Sequence, residues 1–509
     1  MNANKDKKIC MIMSPSPFLL DERVFMSLGI LTVAATLEQK GYIVDMLDLS
    51  GIKNYEDVVE NYISMNPEVL TYGITATTPQ LPLAKNVNNI IKKAGKRVIA
   101  GGPHFTLINS AHKKEKKRGR LGRATRAMEK LKETFHTIVC GDGEYAIFKA
   151  LEGERFVDAD DRKSPLFLSN EDFTNTPFPA RHLVDIDSYN FHIEGKKGLS
   201  LIGQLGCPFM CGFCSGRNSP TFRKIRTRDI NNIMAEIDHM YKTWGIEAFT
   251  FYDDELNVTK TLPDLLRLLI DYQRKNRVEF KLRGCIKAEL FNEEQAELMY
   301  DAGFKKLLVG FESGSPRILD NINKRASRED NTRCIEIGRK YNIQLKALMS
   351  IGHPGESKET LNETKYWLKD VKPEEFDITI ITVIPGSPYY DDATLVERVN
   401  TNIVGADKNL TVDDNVYAYE TRKTKDKLYS IEVDNLREFE YYKGIPGEYN
   451  AFVFTDYLSR KDLVKYRDEL DTDITKFLGH TRNMSVESQL YEHSMGMIPN
   501  FILKSTEIE

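Results

Sequence analysis

The stretch GCPFMCGFCSG, residues 206–216, contains three of the chain's seven cysteines, Cys207, Cys211 and Cys214. Thiolates are soft ligands that select zinc, copper(I) or iron–sulfur clusters. A structural zinc site needs four ligands, usually from two paired motifs, and the chain has no second CxxC. A redox pair of Cys211 and Cys214 is an alternative that leaves Cys207 without a role. Three cysteines therefore predict a cluster with one coordination position open to a substrate or cofactor.

The sequence around this stretch predicts a second series of alternating strands and helices. Strand patterns lie near residues 199–205, 247–252, 280–285, 305–311, 345–351 and 377–384, with helical patterns between them. Six parallel strands are fewer than the eight of a closed barrel, so residues 196–390 are predicted to form a partial, TIM-type (β/α)6 barrel. The three cysteines then lie at the carboxyl edge of its first strand, where barrel active sites are found.

The first 155 residues contain five strand patterns, such as KICMIM and TIVCGDG, separated by helical segments. This alternation predicts an α/β domain with a doubly wound, Rossmann-like parallel sheet. Ligands of such sheets bind beyond the carboxyl ends of the strands. Those ends carry small and polar residues that suit a ligand, although tight turns explain any one of them equally well. The candidates are Thr75, Thr77, Thr78, Gly101, Gly102, Gly141 and Glu144.

Two further regions complete the predicted organisation. Residues 156–195 are acidic and contain prolines, and they are predicted to be a linker. Residues 391–509 are charged and rich in tyrosine, and they are predicted to form a small, mostly helical domain on the substrate side. Its tyrosines either line a pocket or mark the half-buried margin of a helical lid, which we favour. His493 is the candidate for substrate contact or proton transfer.

The composition of the chain limits the kinds of partner that it can bind. The net charge is -4, with 41 % hydrophobic and 29 % charged residues, as in an ordinary globular protein. No apolar run is long enough to span a membrane, the N-terminal residues predict neither a signal nor a transit peptide, and cysteine usage fits the cytoplasm. Residues 113–132 hold ten Lys or Arg and two Glu. Such a run can contact nucleic acid, but it lacks interleaved aromatics, so a solvated surface insertion is favoured.

The C-x3-C-x2-C spacing, with Phe213 before the last cysteine, resembles the motif of the radical S-adenosylmethionine (SAM) superfamily. The resemblance implies that Cys207, Cys211 and Cys214 hold a [4Fe-4S] cluster. The fourth iron would be chelated by the amino and carboxylate groups of SAM. One electron, from a reductase or a flavodoxin-type donor, would then cleave SAM to a 5′-deoxyadenosyl radical.

Other strand ends match positions that contact SAM in this superfamily. They are Asp253, Asp254 and Glu255 after the second strand, Glu312 and Ser313 after the fourth, and Ile351 and Gly352 after the fifth. The resemblance implies contacts to the amino group, to the ribose or carboxylate, and to the adenine, respectively. Each position has an alternative role as an ordinary helix cap.

A doubly wound domain before the cysteine motif resembles the cobalamin-binding class of radical SAM enzymes, over residues 8–390. This class implies cobalamin at the N-terminal strand ends, and methylation of an unactivated carbon or phosphorus of a small molecule through methylcobalamin. One departure is that DMLDLSG, residues 45–51, has Leu47 where other B12 proteins place a cobalt-binding histidine in D-x-H-x-x-G. His104 is the nearest alternative ligand, and packing or capping is its simpler role.

Three alternatives stay open at this stage. A cobalamin-binding member of the class can oxidise, cyclise or rearrange its substrate instead of methylating it. A tRNA methylthiolation enzyme would carry three more cluster cysteines in its first domain, and residues 1–155 contain only Cys10 and Cys140. A cobalamin- or redox-sensing module would not need the SAM-contact positions. We expect a monomer with a single cluster, a small-molecule substrate and no membrane partner.

Overall fold

The computed structural model describes residues 7–16, 22–396, 407, 410, 415–438 and 450–479. The N-terminal region is a parallel sheet in the order β2-β1-β3-β4-β5-β6. Its strands are β1 (Lys8–Met13), β2 (Ile43–Asp48), β3 (Thr71–Thr75), β4 (Arg97–Gly101), β5 (Thr137–Cys140) and β6 (Phe156–Asp158). The strand order reverses direction between β1 and β3, which is the topological switch point of a doubly wound sheet.

Helices cover both faces of this sheet, as the doubly wound prediction requires. They are α1 (Leu28–Gln39), α2 (Tyr55–Met65), α3 (Leu81–Lys93), α4 (Pro103–Lys117), α5 (Arg123–Thr134) and α6 (Gly143–Leu151). Leu31 of α1 and Ile147 of α6 belong to a core that continues into the barrel. Ile91 of α3 and Leu131 of α5 belong to a separate core on the other face. The predicted α/β fold class is confirmed.

Strand β6 extends the sheet past the boundary predicted at residue 155. It pairs with β5 in parallel, with Ile138 opposite Phe156. The sequence analysis missed it because the strand is only three residues long and lies in an acidic stretch. After it, the predicted linker contains the short helix α7 (Asn170–Asn175), two single-turn 3₁₀ helices and the strand β7 (His192–Ile193).

The second region is the predicted partial barrel of parallel strands. The strands of its wall are β8 (Lys196–Leu201), β11 (Ala248–Phe251), β12 (Lys281–Arg283), β13 (Cys285–Ile286), β14 (Lys306–Glu312), β15 (Gln344–Ile351) and β16 (Glu375–Ile380). The third predicted strand is split at Gly284, where a Cβ would lie 2.3 Å from Leu256 Cδ1. Strand β12 pairs with β11, and β13 pairs with β14. The short strands β9 (Gln204–Leu205) and β10 (Arg226–Thr227) pair with each other and flank the cysteine stretch.

The helices of the barrel begin and end at residues that suit their termini. They are α8 (Pro220–Arg223), α9 (Ile230–Trp244), α10 (Leu262–Asn276), α11 (Glu293–Ala302), α12 (Pro316–Asn321), α13 (Arg328–Lys340) and α14 (Lys358–Val371). Ser327 and Ser357 form capping boxes at the start of α13 and α14. Gly245 and Gly303 end α9 and α11 in the left-handed conformation. The N-terminal caps lie in strand-to-helix loops, at the carboxyl edge of the barrel, and the two glycines lie in helix-to-strand loops at the other edge.

The described part of the C-terminal region combines a sheet with one long helix. Its elements are α15 (Pro388–Asp391), β17 (Thr394–Leu395), β18 (Val416–Glu420), β19 (Lys427–Ile431), β20 (Val453–Thr455) and α16 (Arg460–Leu478). The four strands form an antiparallel sheet that the mostly helical prediction did not anticipate, because its strands are short and separated by charged segments. Helix α16 packs on the barrel, where Arg467 Nε donates to the Ile378 carbonyl at 3.0 Å. No helix among the described residues is long and apolar enough to cross a membrane.

Candidate functional site

The cysteine stretch is a loop between β9 and α8 that neighbouring segments hold in place. The Gly206 N–H donates to Asp254 Oδ2 at 2.8 Å, and the Gly212 N–H donates to the Ile322 carbonyl at 2.8 Å. Gly206 has a φ of 85°, and a Cβ there would lie 2.2 Å from the Lys224 carbonyl oxygen. Only glycine fits this position. The loop is thereby fixed at the carboxyl edge of the barrel.

Arg217 supports the same loop from inside. Its side chain is 3 % exposed, and its Nη1 donates to the carbonyls of Cys207 at 2.8 Å and Phe209 at 3.1 Å. A buried guanidinium bonded to backbone oxygens rather than to a carboxylate leaves net positive charge beside the thiols. The sequence analysis missed Arg217, which is within three residues of Cys214 in the chain.

The three thiols are unpaired and half-buried, whereas Cys10, Cys140 and Cys334 are buried. Burial raises the pKa of all three thiols, in the case of Cys214 to about 12, and the charge of Arg217 opposes this rise. Among the described residues, no three His, Cys, Asp or Glu side chains form a group that suits one metal ion. Cluster ligands need not converge, because each thiolate binds a different iron. Thiolates are the usual ligands of iron–sulfur clusters, so the three donors suit such a cluster.

The three predicted carboxylates after β11 take different roles. Asp253 is buried and its Oδ1 accepts a 2.7 Å hydrogen bond from the Gly203 N–H, while Asp254 holds Gly206. Both therefore brace the strand ends. Glu255 differs, because its buried Oε2 has no hydrogen-bond partner among the described residues. Burial raises the pKa of Glu255 to about 7, and the charges of Lys324 and Lys287 oppose this rise.

Glu312, at the end of β14, forms a buried ion pair that the sequence analysis did not find. Its Oε1 accepts from Lys324 Nζ at 2.9 Å, and its Oε2 accepts from Ser350 Oγ at 2.7 Å. Glu312 has a φ of 64°, an uncommon left-handed conformation that turns the chain out of the strand. Lys324 lies in the segment that contacts the cysteine loop, and its charge lowers the pKa of the Cys211 thiol against the effect of burial.

Ser313 and Ile351 are engaged within the fold. Ser313 Oγ lies 2.9 Å from Thr364 Oγ1 and accepts from the Ser315 N–H at 3.1 Å. Ile351 is buried, and its carbonyl accepts from the Ile381 N–H at 3.0 Å. Gly352 has a φ of 89°, and its N–H donates to Glu356 Oε2 at 3.3 Å. Ser313, Ile351 and Gly352 are therefore all buried and engaged within the fold.

His353 links the end of β15 to the cysteine loop. Its Nε2 lies 2.8 Å from Ser350 Oγ, and its ring contacts the rings of Phe213 and Tyr389, with centroid distances of 5.3 and 6.2 Å. Burial lowers the pKa of His353 to about 4, so the imidazole is neutral at pH 7. The predicted residue Phe213 therefore packs against a polar chain that leads through Ser350 to Glu312.

The carboxyl ends of β3, β4 and β5 lie side by side, as predicted. Gly102 has a φ of 102°, and a Cβ there would lie 2.5 Å from Thr75 Oγ1, while Gly101 accepts from the Ala76 N–H. Gly141 has a φ of 89°, and a Cβ there would lie 2.4 Å from the Asp160 nitrogen. These glycines bring backbone into close contact along one edge of the sheet.

Some of the polar candidates at this edge form hydrogen bonds with neighbouring side chains. Thr77 Oγ1 donates to Gln80 Oε1 at 2.9 Å, and Thr78 Oγ1 lies 3.0 Å from His104 Nδ1. His104 is 1 % exposed, and burial lowers its pKa to about 3, so packing describes it better than cobalt ligation. Burial raises the pKa of Glu144, at the start of α6, to about 7.

Buried contacts join the carboxyl edge of the N-terminal sheet to the carboxyl edge of the barrel. Arg226 Nη1 lies 2.5 Å from Asp142 Oδ2, directly after β5, and both side chains are buried. Asp160 Oδ1 accepts from Ser219 Oγ at 2.6 Å and from the Thr221 N–H at 3.0 Å. The segment that follows the cysteine loop is thus held against the end of the N-terminal sheet.

The basic run at residues 113–132 contacts other parts of the chain. Lys114 and Arg118 form ion pairs with Asp392, and the Arg123 guanidinium lies between the rings of Tyr390 and Tyr417, at 3.6 and 4.2 Å from their centroids. Much of its charge is used in this intramolecular interface. Tyr417 therefore packs against Arg123. His493 lies outside the described residues, and its role stays a prediction.

Comparisons with known proteins agree with this architecture. The Radical SAM superfamily matches residues 201–368, and a B12 binding domain matches residues 22–146. A methyltransferase of Pyrococcus horikoshii, itself uncharacterised, is 24 % identical over 396 residues, which are 76 % of this chain and 83 % of the relative. The anaerobic magnesium-protoporphyrin IX monomethyl ester cyclase of Cereibacter sphaeroides is 22 % identical over 67 % of this chain and 55 % of its own length.

A solved structure has a similar fold. The radical SAM methyltransferase TsrM of Kitasatospora setae, with cobalamin and a [4Fe-4S] cluster bound, superimposes with a TM-score of 0.59. The superposition covers 97 % of this chain and 91 % of TsrM, at 14 % sequence identity. The chain therefore contains a Radical SAM domain and a B12 binding domain, the pair of domains that the predicted family requires, and this prediction is confirmed.

Proposed function

We propose that this radical SAM enzyme is a cobalamin-dependent methyltransferase that acts on an unactivated carbon, or a phosphorus, of a small molecule or natural-product intermediate. The observation that carries the proposal is the buried junction of Arg226 with Asp142. It holds the region of the three cysteines against the carboxyl edge of the B12 binding domain. Methyl transfer through two cofactors requires that they share one substrate position, and this junction brings their two edges together.

The residues for a cluster are those of the cysteine loop. Cys207, Cys211 and Cys214 would hold three irons, and the positive charges of Arg217 and Lys324 would offset the negative charge of a thiolate-ligated cluster. When bound, the cluster supplies the electron that cleaves SAM, and cobalamin supplies the methyl carrier.

Glu255 is the carboxylate that we assign to SAM. Its Oε2 is buried and has no partner among the described residues, so an ammonium group beside it would satisfy that oxygen. Asp253 and Asp254 already accept backbone hydrogen bonds and would act through the loop they hold. Glu312, paired with Lys324, would present a fixed charge pair rather than a free carboxylate.

The cobalamin site is assigned to the edge formed by Thr75, Gly101, Gly102 and Gly141. These residues end β3 and β4 or directly follow β4 and β5, at the edge where doubly wound sheets bind their ligands. The described residues at this edge offer no exposed imidazole, so we propose that cobalt is held without a protein histidine. Thr75 Oγ1 has no hydrogen-bond partner among the described residues and is the polar contact that we expect, since Thr77 and Thr78 are engaged with Gln80 and His104.

Several properties follow from the same proposal. A cluster of free thiols persists in a reducing compartment, so we propose the cytoplasm as the location. A flavodoxin-type protein would supply the electron, and a monomer would suffice because one chain provides both cofactor sites. The C-terminal region, which includes His493, would select the substrate.

A second candidate function is oxidative cyclisation without methyl transfer, because the cyclase relative matches 67 % of this chain. Metabolite analysis separates the two. Cells with and without the gene are grown anaerobically on methionine with a trideuterated methyl group. A gene-dependent metabolite that carries one labelled methyl group more than its precursor in cells without the gene supports the methyltransferase, whereas a gene-dependent product that gains no labelled methyl group over that precursor supports cyclisation.

A further inference from the structure

Tyr389, in the short helix α15, is buried against the cysteine loop. Its N–H donates to the Gly212 carbonyl at 3.0 Å. Its ring lies so close to Gly212 that a Cβ on that residue would be 2.2 Å from Tyr389 Cε1 and 2.8 Å from Cζ, the atom that carries the hydroxyl. Gly212 directly follows Cys211 in the chain. The Tyr389 ring is therefore fixed against the segment that carries this thiol.

Other contacts hold the ring and its helix in place. The Arg217 N–H donates to the Gly386 carbonyl at 3.1 Å, which ties the chain before α15 to the chain after the three cysteines. The Tyr389 ring also contacts the rings of His353 and Tyr419, with centroid distances of 6.2 and 4.8 Å. These contacts define one position for the Tyr389 hydroxyl.

The Tyr389 hydroxyl is buried and has no hydrogen-bond partner among the described residues. The whole residue is only 1 % exposed. Burial raises the pKa of Tyr389 well above its ordinary value, and negative charge on Tyr419 and Cys211 raises it further. The hydroxyl therefore keeps its proton and can donate it to an acceptor. A buried donor without a partner is unfavourable, so this position calls for an acceptor.

The acidic groups on this side of the barrel already have partners. Glu312 is paired with Lys324, and Glu356 Oε1 accepts from Thr360 Oγ1 at 2.6 Å. Among the described residues, no group donates a hydrogen bond to Cys211 Sγ. A thiolate at Cys211 is thus an acceptor that the protein leaves open, next to a donor that lacks an acceptor.

We propose that the Tyr389 hydroxyl donates a hydrogen bond to the Cys211 thiolate when the cluster is bound, and that this bond raises the reduction potential of the cluster. The inference rests on the proposed function, because it requires a cluster in the cysteine loop. Reduction adds one electron to the cluster, with no bond formed or broken. A hydrogen bond to a ligand sulfur stabilises the added negative charge. The C-terminal region then acts on the cluster through α15.

The test compares two variants that each remove one hydroxyl and keep the ring. Tyr389→Phe removes the hydroxyl in question, and Tyr419→Phe is the matched control, because Tyr419 is half-buried and contacts the Tyr389 ring. Each protein is reconstituted anaerobically with iron and sulfide, and no SAM is added. A potentiometric titration, followed by the EPR signal of the reduced cluster, gives the reduction potential. Urea unfolding of the same proteins without a cluster gives their stability.

We expect Tyr389→Phe to make reduction of the cluster about tenfold less favourable, which is a potential lower by about 59 mV for one electron. Its iron content should equal that of the unmodified protein, because all three cysteines remain. Tyr419→Phe should keep the original potential. Without a cluster, Tyr389→Phe should unfold at the same urea concentration as the unmodified protein or a higher one, since it loses a buried hydroxyl that has no partner.

An unchanged potential in Tyr389→Phe, or an equal shift in both variants, would overturn the proposal. So would a lower urea midpoint for Tyr389→Phe without a cluster. The hydroxyl would then bond within the protein, for example to His353 Nδ1, which also lacks a partner among the described residues.

If Tyr389→Phe does not fold, 3-fluorotyrosine in place of Tyr389 decides. Its more acidic hydroxyl donates a stronger hydrogen bond, so the potential should rise, and an unchanged or lower potential would overturn the proposal. Failure of the proposed function is distinguishable, because the potentials are measured without SAM. A chain that binds the cluster but transfers no methyl group would overturn the proposed function alone, whereas a chain that binds no iron would overturn both.

Discussion

Lys324 Nζ lies 2.9 Å from Glu312 Oε1, and both side chains are buried beneath the cysteine loop. The pair joins the end of β14 to the segment that contacts Met210 and Gly212 of the loop. Lys324 also lies close enough to Cys211 for its charge to lower the pKa of that thiol, against the effect of burial. The pair therefore couples the fold of the barrel to the electrostatics of the cluster site.

Removing one partner of this pair should destabilise the protein. Lys324→Met leaves the Glu312 carboxylate buried without a counter-charge, which typically costs about 3–5 kcal/mol. Urea unfolding measures the loss, and adding Glu312→Gln should recover most of it. Lys423→Met is the matched control, because Lys423 and Asp320 form an exposed pair worth about 1 kcal/mol or less. A Lys324→Met protein as stable as the control would contradict the assigned ion pair.

Each of the three loop cysteines should be needed for iron. We expect about four iron atoms per reconstituted chain, as one [4Fe-4S] cluster requires. Cys207→Ala, Cys211→Ala and Cys214→Ala should each lose most of that iron and the visible absorbance. Cys334→Ala, which removes a buried thiol outside the loop, should retain both. Full iron in any loop variant, or twice the expected iron in the unmodified chain, would disprove a single three-cysteine cluster.

Glu356 should make stability depend on pH. Burial raises its pKa from the usual 4.5 to about 7. The folded state therefore holds the Glu356 proton more tightly than the unfolded state does. The protonated carboxyl contributes fully to the free energy of unfolding below about pH 4, and this contribution is lost as pH rises to about 7. The loss is on the order of 3 kcal/mol.

Glu356→Gln tests this, because glutamine keeps an oxygen that can accept from Thr360 Oγ1, as Glu356 Oε1 does. The variant should show a flatter dependence of the unfolding free energy on pH between about 4 and 7. Parallel pH profiles for the variant and the unmodified protein would show that Glu356 does not titrate in this range.

Arg123 should stabilise the contact between the B12 binding domain and the C-terminal region. Its guanidinium lies between two tyrosine rings, and its Nη2 donates to the Tyr390 carbonyl at 2.7 Å. Arg123→Ala should cost about 2 kcal/mol or more, since a desolvated cation–π contact has that value. Arg120→Ala, an exposed arginine of the same basic run, is the control. Equal unfolding free energies for the two variants would show that Arg123 adds no stability to this contact and that the basic run is only a solvated surface.

Much of this molecule was predictable from local patterns. The strand and helix periods gave the doubly wound sheet and the six-stranded series, and the cysteine spacing gave the cluster loop at its first strand end. The sequence analysis missed β6 because three residues in an acidic stretch are too few to show the alternating pattern of a strand. The sequence analysis missed the C-terminal sheet because its strands, such as the paired β18 and β19, are short and lie between charged segments.

The missing parts of the site were those set by tertiary contacts. Lys324 and His353 approach the loop only when α12 and the end of β15 pack against it. His353 directly follows the predicted Gly352, but the sequence does not indicate its contact with Phe213. The distinction among Asp253, Asp254 and Glu255 is also tertiary. All three are adjacent carboxylates in the sequence, and only the fold shows that two of them hold backbone N–H groups while Glu255 Oε2 has no partner among the described residues.

The most direct test of the central claim is methyl transfer to cobalamin itself, which needs no knowledge of the substrate. The anaerobically reconstituted enzyme, loaded with cluster and cobalamin, is reduced and given SAM with a trideuterated methyl group. Mass spectrometry then follows the extracted cobalamin, S-adenosylhomocysteine and 5′-deoxyadenosine. We predict labelled methyl on cobalamin together with S-adenosylhomocysteine. Formation of 5′-deoxyadenosine with unlabelled cobalamin and no S-adenosylhomocysteine would contradict a methyltransferase and favour cyclisation or another radical reaction.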